Sequence, residues 1–155
     1  MASSVSSEKI FSRHCLQAGV HAPNTTNAQV CTGLSYVDLR DYDGFGVLAL
    51  QTKLNTSSNG MTLVEIVAAA DASGTSVQVI KTSGAVNCAN SNLNDYVALE
   101  CTADEIEQIG VAAGVALRYV AARITMDNAN STAAVTYVRY ASKRPGDALT
   151  ASVTG

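Results

Sequence analysis

The chain has 155 residues, a length that fits one domain and suffices to bury an ordinary hydrophobic core. Its net charge of −3 carries no large excess of cations, which argues against a nucleic-acid binder, because neutralising phosphate requires clustered Lys and Arg. No run approaches the ~18 apolar residues of a membrane span, and the N-terminus lacks a basic region followed by an apolar stretch, so we expect neither a membrane anchor nor a signal peptide.

The composition is unusual in its shortage of charge. Charged residues make up 15% of the chain, against about 25% in a typical soluble domain, while the apolar fraction is 47% and the aromatic fraction 5%. Small apolar and hydroxyl side chains take the place of the missing charged and aromatic residues. Because few charges are available to cover a free surface, we expect much of the surface to contact partner molecules.

Residues 1–28 show little alternation of polar and apolar side chains. Ser7 is placed to cap a short helix, but Gly19 and Pro23 interrupt any regular element soon afterwards. We predict an N-terminal arm over 1–28, a β-sandwich domain over 29–145 and a C-terminal tail over 146–155. Deletion of 1–28 is expected to leave the sandwich folded.

Strand signals begin at Gln29 and continue through 29–33 and 36–44. The longest predicted strands are 44–54 and 61–70, joined by a segment that ends in Asn59-Gly60. Both residues of that pair tolerate positive φ, so the pattern predicts a β-hairpin. Alternation puts side chains of each strand on shared faces: Leu48, Leu50 and Leu54 in the first, and Val64, Ile66 and Ala68 in the second.

Two shorter strands are predicted over 75–82 and 95–101, and a helix follows them. Thr102 and Glu105 form a capping-box pattern, in which each side chain accepts a hydrogen bond from the other residue's backbone N–H. Gly110 and Gly114 should end the helix within about two turns, since glycine is the usual residue at a helix C-terminus.

The segment 118–140 predicts two closing strands folded back on a polar turn. In the first of them Val120, Ala122, Ile124 and Met126 share a face. Neither face of the second is polar enough for plain solvent surface, because Val135 and Tyr137 oppose Thr136, Val138 and Tyr140. Such strands are covered on both sides, either by another molecule or by the helix and loops of the same chain.

Around eight short strands, one helix and unpatterned ends predict an all-β fold. The expected architecture is an antiparallel β-sandwich or jelly roll with one short helix and extended terminal arms.

Residues able to carry chemistry are few. The three carboxylates within Asp38–Gly44 do not have the spacing of a calcium-binding EF-hand loop, and a turn whose Asp side chains bond the local backbone is favoured. Asp104, Glu105 and Glu107 suit the first turn of a helix, where carboxylates favour the positive end of the dipole. Lys143-Arg144 is typical of a solvated strand end.

The four cysteines, at positions 15, 31, 88 and 101, show no C-x-x-C spacing and are expected to be small buried side chains. His14, Cys15, His21 and Cys31 match no usual zinc pattern. No G-x-S-x-G, H-E-x-x-H or phosphate-binding loop is present. We therefore predict no catalytic, cofactor-binding or metal-binding residue and no enzymatic activity.

The sequences YVDLRDYDGFGVLALQTKL, over 36–54, and LRYVAARITMDNANSTAAVTYVRYASKRP, over 117–145, together resemble small virion structural proteins of tailed bacteriophages. In those proteins a DLR-x-YDG entry precedes a long apolar strand, and a strand beginning RYVR closes the domain with a following hairpin, commonly ending at a proline. The resemblance covers roughly residues 35–145, and Ala121 replaces the second arginine of that strand.

The resemblance implies a capsid decoration, or cement, protein. Such a protein is made in the host cytoplasm, resides on the capsid surface, and binds the major capsid protein and itself as a homo-oligomer, with a trimer favoured over a dimer and no nucleic-acid or membrane partner. Two alternatives stay open: another virion part, such as a tail-tube or head-completion protein, or a carbohydrate-binding jelly-roll module.

Overall fold

The protein's structure, a computed structural model, describes residues 15–23, 25–54, 60–86 and 95–142. Within these residues the chain forms nine strands and one helix: β1 Cys15–His21, β2 Gln29–Val30, β3 Val37–Asp38, β4 Tyr42–Lys53, β5 Met61–Ala69, β6 Gln78–Thr82, β7 Tyr96–Thr102, α1 Ala103–Ala113, β8 Tyr119–Met126 and β9 Thr132–Ser142.

The strands form two antiparallel sheets that pack together, as an all-β sandwich predicts. The first sheet has the order β1-β9-β4-β7. The second has the order β2-β8-β5-β6, and β3 also pairs with β8. Every strand pair is antiparallel. The predicted sandwich is therefore confirmed, and so is a single short helix within the described residues.

The core lies between the two sheets and follows the predicted alternation. From β4 it receives Phe45, Val47 and Ala49, which are at most 3% exposed. From β5 and β8 it receives fully buried side chains that the sequence had placed on shared faces: Val64, Ile66, Ala68, Val120, Ala122, Ile124 and Met126. The period-two pattern grouped these side chains correctly because only one face of each strand contacts the opposite sheet.

Both predicted hairpins are wrong. β4 and β5 lie in different sheets, and so do β8 and β9. β4 is hydrogen-bonded to β7 on one side and to β9 on the other, so no edge remains for β5. The connection over 54–60 is long enough, at about 3.3 Å per residue, to cross the ~10 Å between sheets. Gly60 does have the positive φ, +67°, that the sequence predicted.

Two of the connections that cross between the sheets, β4 to β5 and β8 to β9, meet at one end of the sandwich. Gly60 N–H donates to Asp127 Oδ1 at 2.9 Å, and Asp127 N–H donates to the Gly60 carbonyl at 3.0 Å. Gln51, fully buried beside them, accepts from Met61 N–H at 2.8 Å and donates to the carbonyls of Lys53 and Thr132 at 2.6 and 2.7 Å. One carboxamide therefore joins β4, β5 and β9.

The predicted domain boundary at residue 28 is also wrong. Cys15–His21, assigned to the arm, forms β1 and pairs with β9 over seven residues, from Cys15 opposite Arg139 to His21 opposite Ala133. The alternation was missed because the inward positions of β1 include Gln17, Gly19 and His21, which do not form an apolar face. The remainder of the predicted arm, the Lys143-Arg144 pair and the tail over 146–155 lie outside the described residues.

Helix α1 begins as predicted and ends later. Thr102 and Glu105 form the full capping box, and Gly114 ends the helix in the left-handed conformation at φ +68°. Gly110 does not end it. This residue is buried inside the third turn, where an added β-carbon would lie 2.6 Å from the Val115 carbonyl oxygen. Gly110 is therefore required by close packing rather than as a stop.

Candidate interaction surface

The outer faces of the two sheets differ. On the second sheet, Glu65 of β5 and Arg123 of β8 are directly opposite each other and form an ion pair at 2.6 Å. Val67 and Ala121 on the same face are fully buried. Tyr36, from the connection between β2 and β3, packs close to Gly74, where an added β-carbon would lie 2.8 Å from its ring. This face is therefore covered largely by the chain itself.

The outer face of the first sheet is open. We define the open face as the outward-pointing residues in three register rows across its four strands. In the order β1, β9, β4, β7 the rows are Leu16, Val138, Gly46, Glu100; then Ala18, Thr136, Leu48, Ala98; then Val20, Ala134, Leu50, Tyr96.

Large apolar side chains on the open face are exposed to an unusual degree. Leu16 is 50% exposed, Val20 55%, Leu48 43% and Tyr96 67%. Glu100, at one corner, is the ionisable carboxylate among the twelve residues of the face. Contiguous apolar patches of several hundred Å² on a protein surface commonly mark contact sites.

One end of the open face is closed by Tyr140. Its ring lies over Gly44, where an added β-carbon would overlap the ring atoms. The Tyr140 hydroxyl donates to the Cys101 carbonyl at 3.1 Å. Gly44 is consequently buried, and the open face begins at the next outward residue of β4, Gly46.

The two closing strands, β8 and β9, differ in what covers their second face. The second face of β8, which includes Ala121 and Arg123, lies on the outer side of the second sheet and is covered by the chain itself. The second face of β9, which includes Thr136 and Val138, belongs to the open face. For β9, cover by another molecule therefore stays a prediction.

A tyrosine and a histidine place polar atoms inside the sandwich. Tyr137 of β9 accepts a hydrogen bond at 2.8 Å from Ala122 N–H, between the points where β2 and β3 pair with β8. Burial raises the pKa of Tyr137. His21 accepts from Thr32 N–H at its Nδ1, and no described residue forms a hydrogen bond with its buried Nε2. Burial lowers the pKa of His21 to about 4.

The acidic turn over 38–44 has a structural role. Asp38 forms an ion pair with Arg118 through two hydrogen bonds and accepts from Arg40 N–H at 2.9 Å. The hydrogen bond from Arg118 lowers the pKa of Asp38 to about 2. The prediction that an Asp of this turn bonds local backbone is confirmed. Among the described residues, no three His, Cys, Asp or Glu side chains are close enough to hold a metal ion.

The acidic start of α1 is likewise accounted for within the chain. Glu105 accepts from Thr102 N–H at 2.9 Å and forms an ion pair with Lys81 at 2.6 Å, which lowers the pKa of Glu105. Cys31 and Cys101 are buried free thiols whose pKa values burial raises, that of Cys101 to about 12. The side chains of His14, Cys15 and Cys88 lie outside the described residues.

A cleft of about 630 Å³ lies beside α1. Ile106, Gly110 and Leu39 supply a buried apolar lining, and Arg40 and Glu107 are exposed at its sides. The described residues that line it include no His, Cys, Ser, Thr or Tyr, so they provide no nucleophile with an adjacent base. The cleft is suited to an apolar side chain.

No protein-family model matches the chain, and no curated protein matches its sequence. In the described part of the chain, no helix combines the length and the apolar character needed to cross a membrane.

Part of the open face was predicted from the sequence. We grouped Leu48 and Leu50 on one side of β4, and we recognised that β9 is apolar on both sides. We missed β1, which contributes Leu16 and Val20. The available signal was the alternation of Leu16, Ala18 and Val20, which Gly19 partly obscured because it has no side chain to define the opposite face.

Proposed function

We propose that this protein is a non-enzymatic structural component of a tailed-bacteriophage virion, a decoration or cement protein that binds the major capsid shell and itself. The observation that carries the proposal is the open face, an apolar sheet surface left exposed while the second sheet is covered by its own chain. A cement protein gains strength from many weak contacts that engage together.

The low charge supports the same role. Interfaces between subunits are depleted of charge at their centre, and the open face carries its one carboxylate at a corner. The polar groups identified above form internal hydrogen bonds or ion pairs. Asp38 and Glu105, which the sequence offered as acidic clusters, are engaged by Arg118 and Lys81.

The alternatives predict different behaviour. A tail-tube or head-completion protein would assemble into rings, whereas a sugar-binding module would present aromatic rings beside hydrogen-bonding groups. Tyr96 is an exposed aromatic residue, but its neighbours in the register row, Leu50 and Ala134, are apolar. This surrounding favours contact with protein.

Co-sedimentation tests the proposal. The tagged full-length chain is mixed with empty shells assembled from the major capsid protein that the same source genome encodes, and the shells are pelleted. We expect the chain to pellet at a fixed ratio to the shell subunit, with serum albumin staying in the supernatant. A chain that remains in the supernatant with albumin would contradict the proposal.

Two further measurements distinguish the alternatives. Rings of six or more copies in negative-stain micrographs of the purified chain would favour a tail-tube or head-completion protein. Specific binding on a glycan array would favour the sugar-binding module.

A further inference from the structure

Gly46 gives a first indication of what the open face contacts. It lies within β4 away from any register shift, and its φ is not positive. An added β-carbon would make ordinary contacts, 3.7 Å from the Leu99 carbonyl oxygen and 3.8 Å from Val138 Cβ. Packing within the chain therefore does not require glycine here. Glycine inside a strand often marks a place where another backbone approaches closely.

The two central strands of the open face have complementary relief. Along β4 the outward residues are Gly46, Leu48 and Leu50, and the β9 residues opposite them in register are Val138, Thr136 and Ala134. Where one strand carries a small side chain the other carries a larger one. A second sheet placed on this face would pack best with β4 over β9.

We infer that a second copy of this chain covers the open face, across a two-fold axis that runs parallel to the strands between β4 and β9. This rotation places Gly46 over the partner's Val138, Leu48 over the partner's Thr136, and Leu50 over the partner's Ala134. The inference deepens the proposed function, because it assigns the open face to self-contact and leaves the shell contact to other surfaces.

The charge on the face is compatible with this pairing. Glu100 stands on β7 at a corner, in the row that begins with Leu16 on β1. The rotation places Glu100 near the partner's Leu16, so the two Glu100 carboxylates lie on opposite sides of the dimer. Each carboxylate is at the rim, where it stays in contact with water.

The area suits a weak dimer. Four strands about 4.8 Å apart and five residues per strand rising about 3.3 Å each cover roughly 19 by 17 Å, or about 320 Å² in projection. A standard interface buries about 800 Å² of accessible surface per partner, and corrugated side chains raise the accessible surface above its projection. We expect a dissociation constant of roughly 10–100 µM for the dimer in solution. On a particle, the other contacts strengthen the association.

Light scattering and sedimentation velocity of the full-length protein test the pairing. We expect the average mass to rise toward twice the chain mass as the concentration passes about 100 µM. For Leu48→Lys and Thr136→Glu the average mass should stay near that of one chain over the same range, because each raises the dissociation constant by roughly tenfold or more. Val111→Lys is the matched control, since Val111 is 76% exposed on α1 and is not one of the residues of the open face. Circular dichroism checks that each variant is folded.

Mixing the two disrupted variants tests the orientation of the axis. A 1:1 mixture should regain the dimer, because the lysine introduced at position 48 of one copy faces the glutamate introduced at position 136 of the other. Gly46→Ala should weaken dimerisation while leaving the unfolding temperature unchanged or higher. A monomeric or trimeric wild type, or a mixture that stays monomeric, would overturn the inference. Co-sedimentation with shells decides the proposed function independently of these outcomes.

Discussion

Tyr137 supplies a hydrogen-bond acceptor to β8 at a point where the second sheet is interrupted. β2 and β3 pair with β8 at separate places, and Ala122 lies between them, where its N–H would otherwise lack a strand partner. The hydroxyl of Tyr137 reaches across the core and accepts that N–H. A buried, unpaired N–H costs about 1–3 kcal/mol, so this bond matters more than an average one.

Tyr137→Phe should lower the free energy of unfolding by about 1–3 kcal/mol, because it removes the acceptor and keeps the ring that packs edge-on against Phe45. Urea denaturation measures the change. Tyr96→Phe is the control, since Tyr96 is 67% exposed, and its effect should stay within about 0.5 kcal/mol. Equal losses in both variants would contradict the role given to Tyr137.

His21 makes stability depend on pH. Its pKa is lowered to about 4 by burial in the folded state and is near 6.5 in the unfolded state, so the unfolded chain binds more protons between these values. The stability is complete above pH 6.5 and is lost as the pH falls toward 4. We expect a loss of about 2 kcal/mol over that range, after allowance for solvent screening.

Denaturation curves at pH 7 and pH 4.5 measure this dependence. His21→Asn should reduce the difference between the two pH values, because asparagine does not titrate and its carbonyl can accept from Thr32 N–H in place of Nδ1. The carboxyl of Asp38, whose pKa is held near 2 by Arg118, titrates below this range. An unchanged pH dependence in the variant would show that another group is responsible.

At the scale of elements, two of the crossings between the sheets, β4 to β5 and β8 to β9, depend on Gln51. Its side chain bonds backbone groups of β4, β5 and β9 at the end where both connections pass. Because β4 and β5 lie in different sheets, the strong local turn signal at Asn59-Gly60 did not produce a hairpin. Gly60 supplies positive φ in either arrangement, and the choice between them is set by which strands already occupy the edges of β4.

Gln51→Leu should destabilise the protein by about 3 kcal/mol, since it removes three hydrogen bonds and leaves Met61 N–H buried without its acceptor. Thermal or urea unfolding measures the effect. Gln108→Leu, at an exposed position on α1, is the matched control and should change stability by less than about 0.5 kcal/mol. A small effect at Gln51 would indicate that the backbone alone fixes the crossing.

The sequence predicts the start of helix α1 correctly but not its end. The capping box is local, because Thr102 and Glu105 are three residues apart and bond each other's backbone without help from any other element. The role of Gly110 is not local. It depends on the chain after Gly114 folding back so that Val115 and Leu117 pack against it.

At the scale of the whole molecule, β1 belongs to the sandwich. It pairs with β9 along seven residues, and His21 at its end is fully buried. We expect deletion of residues 1–28 to unfold or aggregate the protein, contrary to the expectation from sequence, because it removes a strand and exposes the edge of β9. Circular dichroism and size-exclusion chromatography measure the outcome.

Deletion of residues 1–13 is the matched control, since it retains β1. This shorter variant should keep the β-sheet spectrum and a cooperative unfolding transition. If the longer deletion also folds cooperatively, β1 contributes little to the stability of the sandwich.

The sequence by itself determined the positions of the long strands, the side chains that share a face in β4, β5 and β8, and the cap of α1. Each of these depends on residues close together in the chain, where the alternation of side chains and the geometry of the cap act directly. The low charge also led us to expect a surface that contacts partners, and that stays a prediction.

Only the tertiary structure decided which strands are neighbours, which face of each strand is inside, and that β1 completes the first sheet. Backbone N–H and C=O groups are the same on every strand, so alternation cannot specify a partner. Leu48 and Leu50 carry larger apolar side chains than Val47 and Ala49, yet the smaller pair lies in the core and the larger pair is on the open face. Hydrophobicity separates the faces of such a strand poorly because both are apolar, and the packing of the second sheet determines which one is buried.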